Sequence, residues 1–209
     1  MLDYVNWFRH STPYINQHRD CTFVLLLPGE AMIHANFNNI IHDIMLLNSL
    51  GVRLVLVHGS RPQIEERLAL RGIRSQYHND LRVTDIDTLS CVIDAVGSLR
   101  IAIEARLCAQ QSGSRLRVVS GNLVTAKPIG VVDGVDFHHT GEVRRIDRKA
   151  ITRHLDEQNI VLLSSLGYSP TGEAFNLACE DVATSVAVAL GADKLILFGE
   201  DTGIRDEDG

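Results

Sequence analysis

Val24-Leu25-Leu26-Leu27-Pro28-Gly29-Glu30-Ala31-Met32 is the stretch of this 209-residue chain that decides the fold. Its uncharged apolar run predicts a strand buried on both faces, as in a parallel sheet, and Pro28-Gly29 ends that strand in a sharp turn. A second run, residues 53–58, ends in Gly59-Ser60-Arg61-Pro62, where the early proline favours a helix. Strand and helix therefore alternate, which predicts right-handed crossovers in a mainly parallel, doubly wound sheet.

The remaining elements follow from caps, turns and hydrophobic periodicity. Asn36, Asp85 and Asp147 are predicted to cap helices that end near residues 51, 111 and 157. Further helices are predicted over residues 1–17, with a kink at Pro13, and 174–190; further strands over residues 115–119, 159–165 and 194–198; and hairpins within residues 75–84 and around Asp133-Gly134 and Thr140-Gly141. The chain thus divides into an N-terminal helix, residues 1–20, and one α/β domain, residues 21–209.

Composition excludes several classes of protein. The chain is 45% hydrophobic and 22% charged, and its formal net charge of -6 favours neither nucleic acid nor an anionic membrane as a partner. No apolar run approaches the length of a membrane span, and the N-terminus has no basic region before an apolar segment. The four cysteines are widely spaced, without a Cys-x-x-Cys pair, which indicates reduced thiols. We therefore expect a cytoplasmic protein.

The turn after the second strand is a candidate anion site. A glycine-rich turn between a parallel strand and a helix aims backbone N–H groups and the helix dipole at a bound anion. Many α/β proteins have such a turn without a ligand, so this feature alone leaves both interpretations open. His138-His139, by contrast, adjoin on a predicted strand that points them to opposite faces, which argues against a shared metal. We expect no metal site.

The two turns together resemble those of the amino acid kinase family. The first strand of that family carries a lysine and then two glycines. Aligned on Gly29 and Ala31-Met32, the lysine position holds Leu26 and the first glycine position holds Pro28. The resemblance implies a three-layer α/β/α sandwich of the amino acid kinase and carbamate kinase type, with an extra N-terminal helix. Because a lysine pairs with phosphate oxygens and a leucine cannot, we expect the kinase chemistry to be lost.

The resemblance also implies a vestigial kinase-like pocket. The family shows His-Gly-Gly-Gly-Pro-Gln after its second strand, whereas here Ser60 and Arg61 follow Gly59 and fill space that the backbone needs near a phosphoryl group. Arg82 matches an arginine that pairs with a substrate carboxylate in acetylglutamate kinases; a surface arginine capping a hairpin is the alternative. The other members of this pocket are Leu26, Gly29, Asn176 and Glu180.

Asn176 and Glu180 match the family's asparagine and its organising aspartate near the start of a helix. Spaced i, i+4, the two are predicted to share one helix face. The acid is one methylene longer here, which would misplace it for phosphoryl transfer. An ordinary helix N-terminus with favourable acids is the alternative explanation.

An allosteric arginine site is implied at Tyr14 and Lys194. Phe8-Arg9-His10-Ser11-Thr12-Pro13-Tyr14-Ile15 resembles the N-terminal helix of the arginine-sensitive family members, which links dimers into a hexamer and contributes an aromatic residue to the arginine site. Lys194 aligns with a lysine of that site. The resemblance implies L-arginine as an inhibitor and a homo-oligomer, from dimer to hexamer, built through this helix. Alternatively, the helix packs on its own domain and Lys194 is an ordinary exposed lysine.

The lost lysine and the N-terminal helix together resemble the kinase-like domain of the bacterial N-acetylglutamate synthases. The resemblance implies an arginine-sensing, oligomerising domain that stops short of the family's complete length and holds no catalytic residue and no cofactor. Acetyl-CoA would be used by a separate acetyltransferase domain, and the parent enzyme would acetylate L-glutamate in the first step of arginine biosynthesis. Two alternatives remain: an acetylglutamate kinase that uses ATP and Mg²⁺, and a non-catalytic structural or binding module.

Overall fold

The computed structural model describes residues 2–109 and 116–199, with side chains from residue 10 onward. The helices are α1 (Leu2–His18), α2 (Phe37–Ser49), α3 (Arg61–Leu70), α4 (Ile86–Cys108), α5 (Arg148–Asp156) and α6 (Cys179–Leu190). The strands are β1 (Thr22–Leu27), β2 (Arg53–His58), β3 (Gln76–His78), β4 (Leu81–Val83), β5 (Val118–Val119), β6 (Val124–Pro128), β7 (Val131–Val132), β8 (Val135–Asp136), β9 (Gly141–Ile146), β10 (Ile160–Ser164), β11 (Leu166–Tyr168), β12 (Ala174–Asn176) and β13 (Lys194–Leu197).

The central sheet has five parallel strands in the order β13-β1-β2-β10-β5. Strands β1 and β2 pair along their whole length, from Thr22 opposite Arg53 to Leu27 opposite His58. The turns that follow these two strands therefore begin side by side at one edge of the sheet. The parallel sheet predicted from the two apolar runs is confirmed.

The side chains of the sheet alternate between two hydrophobic cores, one on each face. Leu25 belongs to the core formed with α2 and α4, to which Ile41 and Ile103 also belong. Leu26 belongs to the opposite core, formed with α5 and α6, which includes Val182. Helices thus cover both faces of the sheet, as the predicted three-layer α/β/α sandwich requires.

A second, smaller sheet continues from the carboxyl end of β10. Its order is β12-β11-β6-β9, with antiparallel pairing at both edges and a parallel contact between β11 and β6. Gly167 in β11 leaves no room for a side chain, because a Cβ atom there would lie 2.7 Å from Leu177 Cδ1 and 2.8 Å from Ala126 Cβ. The hairpins β3–β4 and β7–β8 lie within residues 75–84 and around Asp133-Gly134, as predicted. The turn predicted at Thr140-Gly141 is wrong, because Thr140 forms a β-bridge with Asn176 and Gly141 begins β9.

Two of the three predicted helix caps are confirmed. The Asp85 carboxylate accepts a hydrogen bond from the Thr88 amide at 2.8 Å, and that of Asp147 accepts one from Ala150 at 3.1 Å. Asn36 holds the predicted position directly before α2, but its side chain does not cap the helix: its own backbone is helical, and its Oδ1 accepts a hydrogen bond from the Asn39 side-chain amide at 2.6 Å. The helix that Asp85 caps ends at Cys108. Its predicted end at residue 111 and the predicted start of the next strand at residue 115 lie outside the described residues.

The helix predicted over residues 174–190 begins too early. Residues 174–176 form β12, which pairs antiparallel with β11 from Leu166 opposite Asn176 to Tyr168 opposite Ala174, and the helix itself begins at Cys179. Phe175, the middle residue of β12, is buried. Pairing with a strand close in sequence, together with burial of Phe175, overrides the helix propensity of the alanine-rich segment.

Helix α1 is held to the α/β domain by its last turn. The His18 ring meets the Phe23 ring edge-on with centroids 5.6 Å apart, and the backbone after the helix returns to Gly51, whose carbonyl accepts a hydrogen bond from the Asp20 amide at 2.9 Å. Pro13 lies inside the helix, and the Tyr14 side chain is exposed. Among the helices of residues 2–109 and 116–199, none combines the length and apolarity needed to cross a bilayer.

Candidate functional site

The turns after β1 and β2 touch each other at the carboxyl edge of the sheet. The Gly59 amide donates to the Leu27 carbonyl at 2.8 Å, and the Gln63 side-chain amide donates to the Gly29 carbonyl at 2.8 Å. A Cβ atom on Gly59 would lie 3.0 Å from Cys179 Sγ, and one on Gly29 would lie 2.7 Å from Gln63 Oε1. A side chain at Gly29 would also lie 2.7 Å from Pro62 Cδ, so glycine is required there, and one at Gly59 would be tightly crowded by α6 and by the first turn.

A pocket of about 290 Å³ lies beside these turns. The N-terminal ends of α3 and α6 and the hairpin β3–β4 form its other walls. Its lining residues are Pro28, Gly29, Glu30, Gly59, Ser60, Arg61, Ile64, Tyr77, Asp80, Leu81, Arg82, Thr140, Ser165, Asn176, Leu177, Ala178, Cys179 and Glu180. Neither the residue before α3 nor the residue before α6 caps its helix with a side-chain hydrogen bond.

All but one of the residues predicted for the vestigial pocket line it. Gly29, Gly59, Ser60, Arg61, Arg82, Asn176 and Glu180 are brought together from turns, a hairpin, a strand and a helix. Leu26 is the exception, because the alternation along β1 directs its side chain into the core formed with α5 and α6, where it is 3% exposed. The position of the family's lysine is thus filled by a core residue.

The predicted relation between Asn176 and Glu180 is wrong, since the two do not share a helix face. Asn176 ends strand β12, and its side-chain amide donates to Thr84 Oγ1 at 3.1 Å. Glu180 lies in the first turn of α6, where its carboxylate accepts a hydrogen bond from Cys179 Sγ at 3.3 Å. The two side chains approach the pocket from separate elements.

Arg82 is buried, so the alternative of a surface arginine is wrong. Its side chain is 6% exposed, and Nη2 lies 2.8 Å from Glu65 Oε1 in an ion pair. Nη1 donates to Ser75 Oγ at 2.5 Å, and the guanidinium carbon lies 4.8 Å from the centre of the Tyr77 ring. The cation predicted to hold a ligand carboxylate is paired with a carboxylate of the chain itself.

The titratable groups near the pocket are poorly suited to acid–base or nucleophilic catalysis at neutral pH. Burial, with the nearby Glu180 carboxylate, raises the pKa of the Cys179 thiol to about 12, so the nucleophilic thiolate is scarce. Burial lowers the pKa of His58 to about 4, and the ring stays neutral at the end of β2. Burial opposes ionisation of Glu65, but hydrogen bonds from Ser75, Tyr77 and Arg82 hold its pKa below the usual value. This arrangement can bind a polar ligand more readily than transform one.

Several pocket residues were not found from the sequence. Tyr77 and Asp80 lie in the same predicted hairpin as Arg82 and line the same pocket. Because Arg82 was predicted to be in the pocket, its neighbours in the hairpin could have been predicted there as well. For Cys179 the sequence predicted only a reduced thiol, with no indication that it lines a pocket. Glu65 does not line the pocket but pairs with Arg82, which does, and it gave no signal, because a charged residue in the second turn of a helix is ordinary.

The residues predicted for the arginine site lie at the other end of β1. Tyr14 is on α1 and 68% exposed, and Lys194 begins the edge strand β13 opposite Phe23. Lys194 Nζ lies 5.2 Å from the centre of the Phe23 ring, which His18 of α1 also contacts. The last turn of α1 and Lys194 therefore meet at one aromatic ring. Within residues 2–109 and 116–199, no group of three His, Cys, Asp or Glu side chains is arranged to hold a metal.

Comparison with known proteins defines the class. Residues 22–209 match the amino acid kinase family. Among solved structures, carbamate kinase from Giardia lamblia bound to AMP-PNP has the same fold, with a TM-score of 0.61 at 15% identity over 86% of this chain and 71% of that one. The chain belongs to the amino acid kinase family.

Closer relatives are acetyltransferases. The chain is 70% identical, over 214 aligned residues, to an amino-acid acetyltransferase of Pseudomonas fluorescens Pf-5 and 69% identical to that of Pseudomonas putida GB-1. Each alignment covers 100% of this chain and 50% of the relative. N-acetylglutamate synthase from Neisseria gonorrhoeae, complexed with coenzyme A and L-arginine, matches with a TM-score of 0.89 at 40% identity, over 99% of this chain and 50% of that one. The chain thus spans about half the length of the curated relatives it matches.

Proposed function

We propose that this chain is the arginine-sensing, oligomerising, kinase-like part of an amino-acid acetyltransferase of the N-acetylglutamate synthase type. The observation that carries the proposal is 70% identity, across 100% of the chain, to an amino-acid acetyltransferase of which it covers 50%. The whole protein would be a cytoplasmic enzyme that transfers acetyl from acetyl-CoA to the amino group of L-glutamate, the first step of arginine biosynthesis. Acetyl-CoA binding and acetyl transfer are assigned to the half of the relatives that this chain does not cover.

The pocket supports a role other than phosphoryl transfer. The position of the family's lysine holds Leu26, whose side chain lies in the core, and Arg82 is already paired with Glu65. Positive charge placed against the oxygens of the transferring group is the main contribution of a protein to this reaction. Because the lysine position holds a leucine and Arg82 is paired with Glu65, we expect the chain to bind a ligand without transferring a phosphoryl group to it.

L-arginine is proposed to inhibit the whole enzyme by binding at Tyr14 and Lys194. The lysine is exposed and can pair with the ligand's carboxylate, and the exposed tyrosine ring can stack on its guanidinium or aliphatic part. Support comes from the contacts of Lys194 and His18 with the same ring, that of Phe23, which bring the last turn of α1 to the edge strand. The N. gonorrhoeae relative, similar over 99% of this chain, was solved with L-arginine.

In the full-length acetyltransferase, Tyr14→Ala and Lys194→Ala should each weaken arginine inhibition by about tenfold, because allosteric couplings typically amount to 1–3 kcal/mol and each variant removes one ligand contact. Glutamate and acetyl-CoA kinetics should stay close to those of the parent. The measurement is the arginine inhibition constant at fixed substrate concentrations. Tyr14→Phe, which keeps the ring, and Lys127→Ala, another exposed lysine, serve as controls. Unchanged arginine sensitivity in both alanine variants would reject the site.

The homo-oligomer, from dimer to hexamer, is proposed to form through α1, which lies outside the sheet and presents an exposed Tyr14. Deleting residues 1–17 should lower the mass of the particle without unfolding the sheet, because His18 and Arg19, which contact Phe23 and Gly51, are kept. Light scattering measures the mass and circular dichroism the fold. An unchanged mass, or loss of the whole fold, would show that α1 serves its own domain instead.

A further inference from the structure

A second cavity, of about 280 Å³, lies between α4 and the strands β2, β6, β10 and β11. Among the described residues, it shares no lining residue with the pocket at the turns. Its helix side is formed by four residues spaced i, i+3, i+4 and i+7, which places them on one face of α4: Ile93, Val96, Gly97 and Arg100. The proposed function makes no use of this cavity.

His58, at the end of β2, brings a hydrogen-bond acceptor to the cavity wall. The residue is 0% exposed, and its Nδ1 lies 3.3 Å from the carbonyl oxygen of Gly59. Since a carbonyl oxygen only accepts, Nδ1 carries the ring proton. Burial lowers the pKa of His58 to about 4, so the ring is neutral at pH 7 and Nε2 keeps its lone pair. Nε2 is therefore an acceptor.

This acceptor lacks a donor. Nε2 of His58 is buried and forms no hydrogen bond with any of residues 2–109 and 116–199. A buried polar atom without a partner destabilises a fold, and such atoms are rare in native proteins. A molecule that enters the cavity and donates a hydrogen bond would supply the missing partner.

Gly97 adds room to the cavity that it lines. No described atom lies within 4 Å of a Cβ atom built at this position, so packing does not require glycine there. Glycine inside a helix is less favourable than alanine, and α4 continues for eleven residues beyond Gly97. The helix thus lacks a side chain where the cavity meets it.

The other walls define the chemistry of an occupant. Val96 and Leu162 are buried apolar side chains, which favour an apolar body. The charge of Arg100 acts to lower the pKa of His58, so it would also disfavour a cationic ligand. Arg100 Nε already lies 3.8 Å from Glu104 Oε1, so the site does not need an anion to balance it. These features fit an uncharged molecule.

We propose that this cavity binds a small uncharged molecule with an apolar body, whose hydroxyl or N–H group donates a hydrogen bond to His58 Nε2. Nδ1 of the same ring holds the carbonyl of Gly59, a residue that lines the pocket at the turns. One side chain therefore contacts both the proposed occupant and the turn that shapes the other pocket.

The test compares phenol with anisole, its methyl ether, which has the same ring but no O–H donor. Isothermal titration calorimetry on the chain should give a saturable Kd of about 1 mM for phenol, a modest affinity for seven heavy atoms. Anisole should bind about tenfold more weakly, because it leaves Nε2 without a donor.

Four variants locate the site. His58→Asn keeps an amide that can donate to the Gly59 carbonyl but removes Nε2, so phenol and anisole should then bind equally. Gly97→Leu fills the cavity from the helix side and should abolish the binding of both. Gly97→Ala should fold at least as stably as the unchanged chain and still prefer phenol. His42→Asn, which alters an exposed histidine of α2, should behave like the unchanged chain. Circular dichroism checks the fold of each variant.

Equal affinity of the unchanged chain for phenol and anisole would overturn the proposal, because the acceptor would then play no part. Absence of saturable phenol binding would overturn it as well, and phenol binding that survives Gly97→Leu would place the site elsewhere. A lower particle mass of Gly97→Leu in light scattering would show that a second copy covers this face, which also rejects the ligand site. None of these outcomes depends on acetyl transfer or on arginine inhibition.

Discussion

The chain on its own is expected to form no N-acetylglutamate from acetyl-CoA and L-glutamate, whereas the proposed full-length acetyltransferase is expected to form it. Acetyl transfer needs a group that accepts the ammonium proton and a site for coenzyme A. Near the described pocket, His58 has a pKa of about 4 and is buried, and the pKa of Cys179 is raised to about 12. The measurement is thiol release from acetyl-CoA, with detection of the acetylated product.

The same preparation decides the kinase alternative. Incubated with ATP, Mg²⁺ and N-acetylglutamate, the chain should form no acyl phosphate above background, since loss of one preorganised electrostatic group typically costs about 10²–10³ in rate. The full-length enzyme is the positive control for acetyl transfer. Acetyl transfer by the isolated chain would show that the catalytic site lies within these residues, and phosphorylation would show that the chain is a working kinase.

Replacing Leu26 with lysine should destabilise the fold severely and should not restore a phosphate-binding cation. Leu26 is 3% exposed in the core formed with α5 and α6. A fully buried lysine can lose ~3–5 pKa units, equivalent to about 4–7 kcal/mol of unfolding free energy, against a total of about 5–15 kcal/mol for a typical domain. Urea unfolding at neutral pH measures the loss.

The pH dependence distinguishes a buried ammonium from simple misfit. The pKa of the introduced lysine in the folded variant would lie below its unfolded value, so near neutral pH the unfolded chain binds more protons and stability rises with pH. The deficit of Leu26→Lys relative to the parent should therefore shrink between pH 7 and about 10. Leu26→Met, which preserves volume and polarity, should cost less than about 1.5 kcal/mol at either pH. If Leu26→Lys matched Leu26→Met, the ammonium group would be reaching the pocket, and the assignment of this position to the core would be wrong.

Much of the fold follows from local features of the chain. The apolar runs that became β1 and the interior of β2 can be buried in few ways other than at the centre of a parallel sheet. Asp85 and Asp147 mark helix starts because a short carboxylate reaches free backbone amides. The turn glycines, placed at the carboxyl ends of adjacent strands, predict where a pocket forms.

The predictions that were wrong or missing concern residues whose structure depends on contacts between separate elements. Residues 174–176 are a strand because they pair with β11, and no local pattern records that partner. Asn36 is of a residue type that favours helix caps, but its backbone is helical and its side chain makes no capping hydrogen bond. Glu65 and Arg82 lie on separate elements, so their ion pair depends on how α3 and the hairpin pack. Side-chain partnerships of this kind arise from tertiary packing, which the order of residues alone does not reveal.

The crowding around Gly29 and Gly59 gives the glycine-rich turns a packing role that does not depend on phosphoryl transfer. A Cβ atom at Gly29 would lie 2.7 Å from Pro62 Cδ, and one at Gly59 would lie 3.0 Å from Cys179 Sγ, whether or not a nucleotide ever binds there. Packing alone is therefore a sufficient reason for glycine at position 29, whichever residue fills the lysine position of the family at Leu26. The glycine-rich turns of this chain are consequently explained by packing, and they are not by themselves evidence for phosphoryl transfer.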